Sequence, residues 1–255
     1  MAKRGVSGVI MRGLRAKDHN LTVLDRQTLA PHFVRIRMSS PTLFGNLDLA
    51  PTAWLRFWFP DTADGAREYQ RGYTVTDADS ATGEFSVNFV LHTPAGPASA
   101  WAATVQPGDT VQAMIYGSTK FEVPDELAAG YLLIGDSASM PAIASILEAL
   151  PAEASVECYL EEHDAADHEI PMPDHPGTTI HWVPRRGPGS LAAAIEARDF
   201  TGWYAWVAPE AGSLKALRPR LRNEFGFGKT DLYMQAYWVE GKTMGTQRGV
   251  EESAQ

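Results

Sequence analysis

Arg71, Tyr73 and Thr74 stand together in the stretch Arg71-Gly72-Tyr73-Thr74-Val75. Arginine is a planar, permanently charged fork that suits a phosphate. The tyrosine two residues on offers a flat ring, and the threonine adds a hydroxyl that donates or accepts. In an extended chain residues 71 and 73 leave the same side. One short segment can therefore hold both the diphosphate and the ring of a flavin nucleotide. An ordinary surface strand, with a solvated arginine and a half-buried tyrosine, has the same pattern. Two other stretches offer helix starts, where free N–H groups favour an anion. In Gly96-Pro97-Ala98-Ser99-Ala100-Trp101, Ser99 can cap the helix and Trp101 can cover an adenine; a capped helix with a core tryptophan fits equally well. Gly135-Asp136-Ser137-Ala138-Ser139-Met140-Pro141 is a strand-to-helix turn without the G-x-G-x-x-G fingerprint. A plain serine-capped helix start accounts for it when it is read alone.

Other reactive residue types point less sharply. Arg185-Arg186 follows a strand end, where a 2′-phosphate of NADPH could be met. Lys215, Arg218 and Arg222 lie off the apolar face of a helix and read first as a solvated surface. His163, His168 and His175 fall in an acidic, proline-rich segment with neither H-E-x-x-H nor i, i+4 spacing, so no metal site is expected there. Ser137 and Ser139 lack a G-x-S-x-G setting, which argues against a serine hydrolase.

Two kinds of element must position these residues. Six short segments with period-2 character and frequent turn signals come first: Leu21 to Leu24, His32 to Met38, Ala53 to Phe59, Gly72 to Thr76, Glu84 to Leu91 and Thr110 to Tyr116. They predict a small antiparallel barrel, with one helix at Ala98 to Thr104. The pattern changes near Pro124. Strands at Tyr131 to Ile134, Ser155 to Leu160, Thr178 to Val183, Trp203 to Val207 and Leu232 to Val239 now alternate with helical stretches. Those helices are expected from about Pro141 to Leu150, from Ser190 to Arg198 and from Ser213 to Phe225. This order predicts a doubly wound parallel α/β sheet. The expected domains are 1–125, a six-stranded antiparallel barrel, and 126–255, a nucleotide-binding-type α/β domain, together one way to hold a flavin against a nicotinamide.

Composition narrows the partners. The 255 residues carry a formal net charge of -9, which argues against nucleic acid and against anionic membranes. No apolar run approaches the roughly 20 residues of a bilayer span, and a cytoplasmic protein is expected. The single cysteine, Cys158, excludes an internal disulfide and a cysteine-based cluster.

The motifs Arg71-Gly72-Tyr73-Thr74-Val75, Val87-Asn88-Phe89-Val90-Leu91-His92, Gly96-Pro97-Ala98-Ser99-x-Trp101-Ala102, Gly108-Asp109 and Gly135-Asp136-x-x-x-x-Pro141-Ala142-Ile143 occur in that order, with Tyr237-Trp238 near the end. Over roughly residues 20–245 the chain resembles the siderophore-interacting proteins, FAD-containing ferric-siderophore reductases of the ferredoxin-reductase superfamily. The resemblance implies that Arg71 binds the FAD diphosphate, Tyr73 stacks on the isoalloxazine and Thr74 bonds near N5, with Val75 beside them. Tyr73 and Thr74 are then the catalytic residues. Phe89, Leu91 and His92 would edge the flavin, the turn Gly96, Pro97, Ala98 and Ser99 would meet the diphosphate, and Trp101 would lie towards the adenine. Gly135, Asp136, Ser137 and Ser139 would face a nicotinamide nucleotide. Lys242 matches a lysine found in part of the family and could reach cofactor or ferric siderophore; Arg35, Arg37 and Arg56 on barrel strands could also line the siderophore pocket, although charges on a barrel surface are commoner.

The chain departs from the family pattern in its second half, at Ala208-Pro209-Glu210, at Ser137-Ala138-Ser139, at Ala236 and at Val239. The implied cofactor is FAD, and the implied donor is NADH, NADPH or ferredoxin. The expected activity is reduction of a ferric siderophore by a monomer. A flavin- or siderophore-holding protein without catalysis, and a general NAD(P)H:flavin or quinone reductase, are the alternatives.

Overall fold

A computed structural model describes residues 18–45, 47–61, 67–115, 121–242 and 247–249. Residues 1–17 lie outside them, as does Tyr116, the last residue of the sixth expected strand. The chain divides into two compact units, Met1–Lys120 with Met244–Gln255, and Phe121–Thr243.

The first unit is built from strands whose side chains alternate between core and solvent. They are β1 (Asp18–Ala30), β2 (Phe33–Ser39), β3 (Trp54–Pro60), β4 (Arg67–Asp79), β5 (Glu84–Val90) and β6 (Thr110–Met114). In β2 the alternation sends Val34, Ile36 and Met38 inward, each fully buried, while Arg37 is exposed. The strand order is β4-β3-β6-β1-β2-β5, and β4 pairs back onto β5 through Val75↔Val87 and Thr76↔Ser86. This is a closed six-stranded antiparallel barrel, and closure leaves no barrel strand with an open edge. Helix α1 (Pro97–Thr104) joins β5 to β6 and sets Ala98 and Ala102 into the barrel core beside Leu55, Phe57 and Phe89. A short strand, β12 (Gln247–Gly249), pairs antiparallel with β4 and so belongs to this unit.

The second unit is a parallel sheet of β7 (Gly130–Asp136), β8 (Val156–Glu162), β9 (Thr178–Pro184), β10 (Trp203–Val207) and β11 (Leu232–Met234), in the order β11-β10-β7-β8-β9. Strand order reverses between β7 and β10, the switch point of a doubly wound fold. All seven residues of β7 are buried, as a central parallel strand covered on both faces requires. Helix α2 (Met140–Ala149) follows β7 and buries Ile143, Ile146 and Leu147. Helices α3 (Ser190–Ala194) and α4 (Ala211–Pro219) share a core with Leu132, Ile134 and Val207.

Three elements differ from the sequence expectation. The helix expected over 190–198 stops at Ala194, where Ile195 turns extended and enters the core. The helix expected over 213–225 starts at Ala211 and changes character at Pro219. Proline has no N–H to donate, and the ladder widens into a π-helical turn at Arg220–Glu224, closed by Phe225 N–H to Arg220 O at 2.9 Å. The strand expected over 232–239 ends at Met234. Beyond it the chain follows the segment after β10, with Tyr237 N–H bonded to Pro209 O and Ala211 N–H to Trp238 O.

Candidate functional site

In the barrel, β4 presents the arginine and tyrosine on one face. Its register against β3 sets Tyr73 opposite Leu55 and Arg71 opposite Phe57, both core residues, so the two side chains leave the strand on the core side. The Tyr73 ring packs 4.3 Å from Phe89 and edge-on to Phe57 and Phe59. It keeps a partly exposed surface. Burial raises its phenol well above the ordinary range, with the Arg71 charge opposing, so the hydroxyl stays protonated. Arg71 is half-buried, and burial lowers its pKa from the free value. It donates to Gln70 O at 2.7 Å and lies 5.9 Å over the Tyr69 ring. No carboxylate among the described residues pairs with it. Thr74 is buried and its hydroxyl bonds to no described residue, while Val75 N–H is tied to Ala53 O. Trp54 covers Gly72, where an added Cβ would meet its ring at 3.2 Å.

At the end of β5, Leu91 N–H bonds His32 O and His92 N–H bonds the Ser99 hydroxyl at 3.1 Å. Ser99 therefore ties strand to helix and does not cap α1. The N-cap is Gly96, with Pro97 at the first helical position. Ala100 N–H already reaches Gly96 O, so Ala98 and Ser99 carry the N–H groups that have no intrahelical acceptor. Trp101 packs 5.2 Å from Phe59 and 5.7 Å from Phe89, joining the aromatic cluster of Tyr73. The structure thus brings Arg71, Tyr73, Phe89 and Trp101 into one neighbourhood. It does not do so for Arg35 and Arg56. These sit on β2 and β3, three strands apart around a six-stranded ring, and both face away from the barrel core. Arg35 pairs with Asp77 at 3.4 Å; Arg56 donates to Gln70 and lies over Trp54. They cannot line one pocket.

In the α/β unit, the turn after β7 is closed on itself. The Ser139 hydroxyl accepts from Asp136 N–H and donates to Asp136 O, and Ser139 is fully buried. Asp136 Oδ1 accepts from Ala138 N–H; Oδ2 accepts from Trp238 Nε1 at 2.8 Å and from Glu210 N–H at 2.9 Å. Burial pushes this carboxyl up to about 6, against the pull of the Trp238 bond. The backbone closeness at Gly135 serves packing: an added Cβ would stand 2.1 Å from Ser139 Oγ. Ser137 is buried beside them, and Lys242 is exposed.

Sequence reasoning missed the neighbouring charge network. Glu161, fully buried at the end of β8, accepts from Arg185 at 2.6 Å and from Ser213 Oγ at 3.1 Å, with His163 Nε2 at 3.4 Å. Arg185 also meets Glu240 at 2.9 Å and Glu210 at 3.9 Å. Arg185 is consequently neutralised, and is not the free cation its loop position suggested. Glu210 caps α4 through Gly212 and Ser213 N–H. Arg185 and Ser213 lie 24 and 52 residues from Glu161, and Glu240 lies 55 residues from Arg185, so no local spacing announces these contacts. His168 stacks on Trp182 and bonds Glu162, and His175 bonds Pro151 O.

A closed antiparallel barrel with a switch-point parallel sheet is the architecture of ferredoxin-reductase-like flavoproteins, and the comparisons agree. The profile of the "Siderophore-interacting FAD-binding domain" matches residues 61–117, and that of the "Siderophore-interacting protein" matches residues 128–241. The chain belongs to the siderophore-interacting protein family. It is 53% identical over 249 residues to the mycobactin import ATP-binding/permease protein IrtA of Mycolicibacterium smegmatis, covering 98% of this chain and 29% of that protein. The chain thus spans less than a third of the length of that relative. It is 27% identical to the ferric vibriobactin reductase ViuB of Vibrio cholerae, over 87% of this chain and 89% of the other. The crystal structure of a siderophore utilization protein from T. fusca matches with TM-score 0.74 and 27% identity, over 90% and 95% of the two chains. FAD fits the barrel site on its own terms: a half-buried guanidinium without a carboxylate, a ring face and two helix N–H groups suit a diphosphate joined to a flat heterocycle.

Proposed function

We propose that this chain is an FAD-dependent reductase that converts a ferric siderophore to the ferrous complex, from which iron is released. The observation that carries the reading is Arg71, a half-buried cation with no carboxylate among the described residues, on the same strand face as the Tyr73 ring. Bound FAD would supply two-electron uptake and one-electron delivery, which reduction of Fe(III) needs. The chain would supply position. Arg71 and the N–H groups of Ala98 and Ser99 hold the diphosphate, Tyr73 fixes the ring plane, and the Thr74 hydroxyl is free to bond a ring heteroatom. Val75, Phe89, Leu91 and His92 shape the wall behind. Each Fe(III) takes one electron, so one reduced flavin serves two chelates. Fe(II) binds hard oxygen ligands more weakly, which frees it. The electron donor is NADH, NADPH or ferredoxin.

The test uses purified protein under anaerobic conditions. Yellow protein reduced stoichiometrically with dithionite is mixed with a ferric hydroxamate or catecholate chelate and an Fe(II) trap. Reoxidation of flavin with formation of about two trapped Fe(II) per flavin is expected. Flavin that stays reduced beside the chelate overturns the reading; reoxidation by quinone alone assigns the general reductase instead.

A further inference from the structure

We propose that the α/β unit selects NADH over NADPH, with Glu162 as the residue that accepts the ribose hydroxyl and the engaged Arg185 as the reason a 2′-phosphate is rejected. The inference rests on the reductase reading above and deepens its donor side. In a doubly wound sheet the ligand lies outside the carboxyl ends of the strands at the switch point. The end of the second strand reads the adenosine ribose: a carboxylate there takes the 2′-hydroxyl, whereas an arginine nearby accommodates a 2′-phosphate. The second strand here is β8, which runs beside β7 in register Asp136↔Glu161, and it ends in Glu161-Glu162.

The two glutamates are unequal. Glu161 is fully enclosed and spent on Arg185, Ser213 and His163. Glu162 keeps 23% of its side chain exposed, with one oxygen bonded to His168 Nε2 at 3.2 Å. Its carboxylate is open to a hydroxyl donor. The cation that would welcome a phosphate is Arg185, whose N–H bonds Glu162 O at 2.9 Å and so stands next to the same strand end. Its guanidinium already faces Glu161, Glu240 and Glu210. A phosphate arriving there would meet three carboxylates around Arg185, with the His163 imidazole beside them already paired with Glu161, and with Glu162 adding a fourth negative group nearby. Arg186 is exposed, so its attraction is screened by water and salt. Asp136 and Glu210 add no positive charge to offset this.

Repulsion of this kind is worth on the order of tenfold in affinity, or about 1.4 kcal/mol. FAD-loaded protein is titrated calorimetrically with NAD⁺ and NADP⁺, and flavin bleaching by NADH and NADPH is followed anaerobically in parallel. NAD⁺ is expected to bind at least about tenfold tighter, with the bleaching rates in the same order. Glu162→Gln should weaken NAD⁺ binding and narrow the ratio. Glu240→Gln, at a carboxylate 71% exposed, should release Arg185 and raise NADP⁺ affinity several-fold. Equal or tighter NADP⁺ binding overturns the proposal, as does absence of binding by both nucleotides or a ratio unmoved by both variants. In each of those cases dithionite-reduced protein that still reduces the ferric chelate leaves the reductase reading standing.

Discussion

Arg71 is the residue on which flavin binding turns. Charge-assisted hydrogen bonds to a diphosphate are worth roughly 1.5–3 kcal/mol. Arg71→Ala should therefore weaken FAD binding by about 10- to 150-fold, read as the flavin-to-protein ratio after desalting and as the Kd for added FAD. Arg71→Lys keeps the charge and loses the fork, and should fall between. Full flavin retention in the alanine variant would contradict the role. His163 should set how stability changes with pH. Burial alone would lower its pKa, but the Glu161 bond and the Asp136 charge together raise it above the ordinary value. A raised folded-state pKa gives stability that is present below about 6.5 and is lost as pH climbs through the folded value. Asp136 has the same sign at lower pH, since burial lifts it from 3.8 to about 6 and its ionisation opposes the fold. Unfolding free energy measured in urea should thus decline from pH 5.5 to pH 8. His163→Gln should flatten the part above pH 6.5. A profile that rises over this range in the parent protein would refute the assignment.

Among the elements, the turn from β7 into α2 can be tested without touching chemistry. Gly135 allows Ser139 Oγ and Ile143 to pack against the strand backbone, and a Cβ would stand 2.1 and 2.8 Å from them. Gly135→Ala should cost about 1–3 kcal/mol, a fall in Tm of roughly 2–12 °C, while FAD affinity is unchanged. Lost flavin with an unaltered Tm would instead place Gly135 at the cofactor. This turn also shows what the sequence could and could not reveal. The strands were readable because β2 and β5 alternate and β7 is one apolar run, patterns fixed by which face meets a core. Helix ends were less readable: Pro219 redirects a ladder whose apolar spacing continues to Phe225. The Tyr237-Trp238 stretch reads as strand by composition, yet it runs beside Pro209 to Ala211 because Trp238 Nε1 is drawn to Asp136. Arg71 and Tyr73 were legible because two residues on one strand share a face by geometry alone. Arg185 was not, because its carboxylates come from three other parts of the chain.

At the scale of the molecule, two cores serve two units, and the ligand proposed for the barrel should register in only one of them. The barrel core runs from Leu21 to Ala113, and the α/β core from Leu132 to Phe227, with no residue in common. A ligand that binds the folded state stabilises it by RT ln(1 + [L]/Kd), about 2.7 kcal/mol at a hundredfold excess over Kd. FAD removal should therefore lower the calorimetric transition of the barrel and leave that of the α/β unit in place, splitting one endotherm into two or widening an existing gap. Far-UV dichroism near 222 nm, dominated by the helices of the second unit, should report the higher transition. Adding FAD back should close the gap in proportion to the logarithm of its concentration. The net charge of -9 sharpens the experiment, because FAD is itself anionic. Long-range repulsion slows its approach at low salt, so rebinding should quicken by a few-fold as ionic strength rises from about 0.01 to 0.15 M. The local attraction at Arg71 is weakened by the same salt, so affinity should not rise in step with rate. If FAD removal shifted both transitions equally, the ligand's hold could not be confined to the barrel, and the site built on β4 would have to be redrawn.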